Sequence, residues 1–264
     1  MADRIAAAFA AARGEGRAAL MPYMMGGFPD AATSAAVAEA YAEAGADLVE
    51  LGIPYSDPLA DGPVIHAAAT AALDAGATLD SVLADCERIA ARVPVVAMAY
   101  ANMIWARGPA PFAAALSAAG AAGVILPDLP PEEGGEVAEA LRGVGLALVP
   151  LVAPTTPAER RARICAAAEG FVYIVSDTRT TGERDRLPER LGELIDATRA
   201  DSPVPVAVGF GIGTPAQAAE VGARADGVIV GSRLVRAVRD ADGPAAAADS
   251  VRRFIEAARA AMEA

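Results

Sequence analysis

The chain is 264 residues long, room for one large barrel or two small domains, and 54% of it is apolar, although much of that share is Ala, which packs helices but buries little area. Its net charge of −12 repels phosphate backbones and anionic lipid, which argues against nucleic-acid and membrane-surface roles; a small anionic substrate stays open, since it needs only a local cluster of donors. There is no lysine, which excludes Schiff-base, covalent pyridoxal and Walker-type phosphate chemistry on this chain, and the single histidine, His66, excludes multi-histidine zinc sites and speaks against a Ser-His-Asp triad.

The N-terminus carries an acid and an arginine, Asp3 and Arg4, and lacks the apolar core of a secretory signal. A first helix over 3–12 is expected to cover the bottom of the fold. Short β-branched apolar runs follow at 20–25, 47–51, 95–99, 123–126, 147–152, 171–175, 206–208 and 227–230. Between them lie Ala-rich helical patterns at 31–44, 79–91, 111–119, 134–142, 157–168, 188–199 and 215–221, and a last one spans 244–262. Strands that read as continuous apolar runs, without alternation, suit a parallel sheet covered on both faces. Eight such βα units in one chain without a polar linker predict an α/β fold, a single-domain (β/α)8 TIM barrel over 1–264 with an extra N-terminal helix. The alternative, a doubly wound open sheet, would use fewer strands and want a glycine fingerprint after the first, which Met25-Gly-Gly-Phe-Pro29 does not supply. The apolar stretch 93–106 is too short to span a membrane and contains Pro94 and Asn102.

The most informative segment follows the second strand. Glu50 ends the apolar run Asp47-Leu-Val-Glu-Leu51, and Asp61 follows in a Pro- and Gly-rich loop. Ionised side chains avoid such runs unless paired or used, and a buried carboxyl keeps its proton to higher pH, which suits a group that gives and takes protons near neutrality. Reactive groups of such barrels gather at the C-terminal ends of strands, where both acids fall. Two glycine segments, Gly209-Phe-Gly-Ile-Gly-Thr214 and Gly231-Ser232, follow the seventh and eighth strands. Either alone could be a tight turn. Together, at consecutive strand ends, they point to phosphate held by backbone amides and the Ser232 hydroxyl.

Other residues carry two readings each. Tyr173 is core filling or, if it points inward at the barrel top, a hydroxyl near Glu50 or a substrate. Phe210, between two glycines, is expected to line a pocket or meet a partner. The polar segment 177–186 is a lid over the site or an ordinary solvated loop. His66 is expected on the surface in the first turn of a helix, and Cys86 and Cys165 as two buried thiols in a reducing cytosol.

Over essentially its whole length the sequence resembles the tryptophan synthase alpha subunit family. The resemblance rests on Glu50-Leu-Gly-Ile-Pro-Tyr-Ser-Asp-Pro-Leu-Ala-Asp-Gly-Pro63, a long and specific motif, and on Tyr100-Ala-Asn102, Leu126-Pro-Asp-Leu-Pro-Pro-Glu-Glu133, Thr181-Gly182, Gly209-Phe-Gly-Ile212 and Gly231-Ser232. It implies a cytoplasmic lyase that cleaves indole-3-glycerol phosphate into indole and glyceraldehyde 3-phosphate. It further implies Glu50 as the acid/base group and Asp61 as the carboxylate that holds the indole N–H. The phosphate would lie on Gly182, Gly211, Gly231 and Ser232, with Tyr23, Tyr173 and Phe210 around the indole. No metal or cofactor is implied on this chain. The implied partner is a beta subunit carrying pyridoxal phosphate in an α2β2 complex, faced by Asp57-Pro58, Asn102 and Pro130. Two positions depart from the family pattern: Arg179-Thr180 stands where Gly-Val is usual, and Met25-Gly26-Gly27 where Thr-Ala-Gly is frequent. Two rival readings are an indole-glycerol-phosphate synthase, whose catalytic lysine is missing here, and a sensing subunit that does no chemistry.

Overall fold

The computed structural model describes residues 2–175, 190–209 and 211–263. Its first half runs α1 (Ala2–Gly14), β1 (Ala19–Met25), α2 (Ala31–Glu43), β2 (Val49–Gly52), α3 (Pro63–Asp74), α4 (Leu79–Ala90), β3 (Val95–Met98), α5 (Ala101–Arg107), α6 (Pro109–Ala118) and β4 (Gly123–Ile125). There follow α7 (Gly135–Gly143), β5 (Ala147–Val149), β6 (Leu151–Val152), α8 (Ala158–Ala166), β7 (Val172–Val175), α9 (Leu191–Asp201), β8 (Val206–Gly209), α10 (Pro215–Gly222), β9 (Gly227–Val230), α11 (Ser232–Arg239) and α12 (Pro244–Glu263).

All the ladders are parallel, in the order β5-β4-β3-β2-β1-β9-β8-β7-β6. The two ends of that order are one stretch of chain, the predicted strand 147–152, divided at Pro150. Proline has no N–H to give a ladder, so the strand is interrupted there. Its carbonyl still accepts from the Tyr173 N–H at 2.9 Å. β5 pairs β4 and β6 pairs β7, so this single stretch closes the sheet into the expected barrel. Strands β1 to β4 and β7 to β9 are buried nearly throughout, the pattern the unbroken apolar runs predicted.

The expected helix α1 does lie under the barrel. Ile5 and Phe9 are 0% and 2% exposed. Phe9 meets Phe171 with ring centroids 5.6 Å apart. Gly123 and Gly170 leave room for the Ile5 side chain, and Gly227 for Phe9. Arg4 ties the helix to its surroundings through the Ala90 carbonyl at 2.7 Å. Below the same end, the buried Arg17 guanidinium grips Asp47 at 2.6 and 2.8 Å, and Asp47 accepts the Leu20 N–H at 2.7 Å. This joins the starts of β1 and β2.

Helix boundaries follow local chemistry. Asp30 caps α2 by accepting from Thr33 N–H at 2.9 Å, and Thr78 and Thr214 open capping boxes at α4 and α10. The structure extends the sequence reading at three places. α3 begins at Pro63, one turn before His66, because proline is preorganised for the first helical position. α5 and α11 were not foreseen; both are short and lack a side-chain cap, so neither carries a sequence mark. The predicted start at 188 of the helix before β8 lies outside the described residues; the described helix begins at Leu191.

Candidate active site

The C-terminal ends of the strands open into a cleft. Tyr23 on β1 and Glu50 on β2 are register partners, so their side chains leave neighbouring strands toward the same side. Both line the cleft, together with Asp61, Tyr173, Gly211, Gly231 and Ser232. Two acids and three glycine-segment residues that are distant in sequence thus share one cavity. Gly182 and Phe210, and the whole segment 177–186, lie outside the described residues.

Glu50 is 4% exposed and its Oε2 has no hydrogen-bond partner among the described residues. Removal from water penalises its charge, and the charge of Asp61 adds to the penalty, so its carboxyl is pushed up from the ordinary 4.5 to about 8. Asp61, less enclosed, is raised by burial to about 6, against the opposing pull of the Tyr100 hydroxyl and of His66. Both tyrosine hydroxyls in the cleft are held neutral well above their ordinary value, by burial first and then by the two acids.

The tyrosines are seated on glycines. A Cβ added at Gly52 would strike the Tyr23 hydroxyl, and one at Gly209 would strike that of Tyr173. Tyr173 therefore takes the second of its two sequence readings: it points to the barrel top and lines the cleft. Gly211, also in the lining, adopts φ +89°, a conformation that favours glycine. Gly231 caps α11 and Ser232 is its first residue, so the N-terminal end of that helix borders the same space, the end at which backbone N–H groups attract anions.

His66 is exposed on α3, as expected, yet its charge reaches Asp61. Cys86 and Cys165 are buried free thiols. Sequence reading missed Ile65, Met98 and Ile229, which give the cleft its apolar walls, and Tyr100, which stands beside Asp61. The Tyr100-Ala-Asn102 motif contained the last of these without indicating its role. Among the described residues no cluster of His, Cys, Asp and Glu could hold a metal ion. No helix among them is long and apolar enough to cross a membrane.

Comparison with known proteins gives one answer. The profile of the tryptophan synthase alpha chain family matches residues 9–263. The chain is similar to the tryptophan synthase alpha chains of Picosynechococcus sp., 45% identical with 94% of each chain covered, and of Prochlorococcus marinus, 47% identical with 88% and 86% covered. Its fold is similar to a chain in the structure of Mycobacterium tuberculosis tryptophan synthase, with TM-score 0.91, 38% identity and 99% and 98% of the two chains covered. The tryptophan synthase subunit alpha of Legionella pneumophila is similar too, with TM-score 0.88, 36% identity and 98% of each chain covered. A cleft with two raised carboxyls at the mouth of a closed parallel barrel, matched along nearly the whole chain, places this protein in the tryptophan synthase alpha chain family.

Proposed function

We propose that Glu50 and Asp61 carry the reaction of this family, the cleavage of indole-3-glycerol phosphate to indole and glyceraldehyde 3-phosphate in tryptophan biosynthesis. The bond to be broken joins indole C3 to a side-chain carbon bearing a hydroxyl. C3 must gain a proton and the hydroxyl must lose one. Glu50, protonated below about 8, gives its proton to C3. Its carboxylate then takes the hydroxyl proton as the carbon–carbon bond opens, the new carbonyl forms, and the bonding electron pair returns to the ring. Glu50 ends the turnover protonated, as it began.

Protonation at C3 makes the ring cationic. Asp61, ionised above about 6, accepts the indole N–H and offsets that charge in a site shielded from water. Ile65, Met98 and Ile229 offer apolar surface to the ring. Tyr23 and Tyr173 flank it, with Phe210 as a further neighbour. The phosphate lies on the amides of Gly211, Gly231 and Ser232, with Gly182 contributing from the segment beyond β7. Pyridoxal phosphate belongs to the beta chain that is this family's partner, and this chain works in the cytoplasm.

The observation that carries the assignment is the unpartnered Glu50 Oε2, buried in a cleft it shares with Asp61. The test is indole release from indole-3-glycerol phosphate, with a beta subunit present, by wild type, Glu50→Gln and Asp61→Asn. Loss of a general acid/base should lower turnover by roughly 10²- to 10⁴-fold in the first variant. Rate against pH should rise through about 6 and fall beyond about 8. A Glu50→Gln enzyme that turns over like wild type sinks the assignment.

A further inference from the structure

Asp61 sits in a loop, and a loop carboxylate holds one position only if something rigid stands behind it. Tyr100, the residue before α5, is 4% exposed. Its hydroxyl is in hydrogen-bonding reach of the Asp61 carboxylate and accepts the Ala60 N–H at 3.2 Å. A phenol has one proton to donate; with the backbone N–H occupying its oxygen from one side, that proton is directed to Asp61.

Tyr100 is itself braced. Its ring stacks on Tyr55 with centroids 5.1 Å apart and planes at 26°. The Tyr55 hydroxyl accepts from Asn102 Nδ2 at 3.1 Å, and the Ala101 N–H donates to Asp128 at 2.9 Å. Loops after three successive strands, β2, β3 and β4, are thereby joined behind one carboxylate. Of the two acids in the cleft, it is Asp61 that the Tyr100 hydroxyl touches.

We propose that Tyr100 is a positioning residue for the cleavage, holding the Asp61 carboxylate charged and aimed into the cleft, and that the Tyr55 ring holds Tyr100 in turn. This rests on the role assigned to Asp61 above. A hydrogen bond to a carboxylate favours its charged form, so removing the hydroxyl raises the pH at which Asp61 ionises. The other titratable groups that act on Asp61 or feel it are Glu50 on β2, Tyr23 on β1, Tyr173 on β7 and His66 on α3; the substitution leaves all four side chains in place, removes only a minor influence of Tyr100 on Tyr23, and keeps Asp128, which faces Tyr100 from the loop after β4. If Tyr100 were only a staple for the loop, losing its hydroxyl would lower activity alike at every pH.

The experiment measures kcat/KM for indole release by the alpha–beta complex between pH 5 and 9. The variants are Tyr100→Phe, Tyr55→Ala, Tyr55→Phe and Asp61→Asn. Tyr100→Phe should lose roughly 10-fold at pH 6, the worth of a hydrogen bond to a charged group, shrinking to within about 2-fold at pH 8. Its acid limb therefore moves to higher pH. Tyr55→Ala should move the limb the same way by less, and Tyr55→Phe, which keeps the ring, by less again. If Asp61→Asn is inactive but Tyr100→Phe keeps the wild-type acid limb, or loses activity uniformly with pH, the proposal is overturned. If Asp61→Asn is as active as wild type, the role of Asp61 falls first, a separate failure. Should Tyr100→Phe not give a cooperative melt, Tyr55→Ala carries the test, and an unmoved limb there is an equally adverse result.

Discussion

Replacing Glu50 by glutamine should make the protein more stable, and by an amount set by pH. Glutamine has nearly the same shape and no proton to lose. The folded site holds the Glu50 proton up to about 8, whereas a free glutamate releases it at 4.5. Between those values the folded protein binds a proton that the unfolded chain has shed, so stability falls as pH rises. Below 4.5 both states are protonated and the penalty is absent; above about 8 both are ionised and it is constant. At ~1.4 kcal/mol for each pH unit between the two values, the penalty is ~3 kcal/mol at pH 7 and ~4 kcal/mol at pH 8. Glu50→Gln removes it, which for a domain of this size is a rise in Tm of about 6 °C at pH 7. The assay is thermal or urea unfolding of both proteins from pH 4.5 to 8.5. Their other titrating groups are shared and largely cancel in the difference. A gain that stays constant across this range, or no gain at pH 8, would refute the reasoning, because it would mean that Glu50 is not held protonated by its surroundings.

Four further outcomes are expected. Gly209→Ala puts a methyl where the Tyr173 hydroxyl lies, so indole release should fall by roughly 10-fold or more while the melt shifts by only ~1–3 kcal/mol, the usual cost of overpacking; an unaffected rate would show that the tyrosine need not stay in place. Ser232→Ala removes one donor to the phosphate and should raise KM by about 10-fold with little change in kcat, measured by steady-state kinetics. Phe9→Ala opens a hole under the barrel and should destabilise by ~3–5 kcal/mol in urea unfolding while leaving the turnover of folded molecules near wild type. Trp105, the single tryptophan, is 45% exposed on α5, the helix that also carries Asn102, so its emission should move to shorter wavelength when a beta subunit docks on the barrel mouth; an unchanged spectrum in a saturated complex would place the docking face elsewhere.

The barrel was legible because its signals are local. Each strand is a run of two to seven residues with no polar alternation, and a buried parallel strand has no solvent face to interrupt the run. Glu50 was legible for the complementary reason, as the one acid inside such a run. What could not be read depended on which residues meet in space. Nothing around Tyr100 announces that its hydroxyl faces Asp61, since the two lie on different βα loops. The roles of Gly52 and Gly209 were hidden too: a glycine that ends a strand looks the same whether it makes a turn or clears space for the ring next door. α11 has three arginines in eight residues and a glycine cap, and only the packed structure shows that Leu234, Val235 and Val238 face inward. Pro150 looked like part of a strand and is in fact its seam, a distinction visible only once both neighbours of that stretch are known.

The hydrophobic stopper formed by Ile5 and Phe9 has a consequence for traffic. A vessel closed at its base is filled and emptied through one rim. An indole released in the reaction proposed above would have to leave by the side on which the phosphate entered, past the loop that carries Asp61 and the start of α11. A protein seated over that rim would decide where the freed ring goes next, and an uncharged bicyclic product could then be handed on without meeting bulk water.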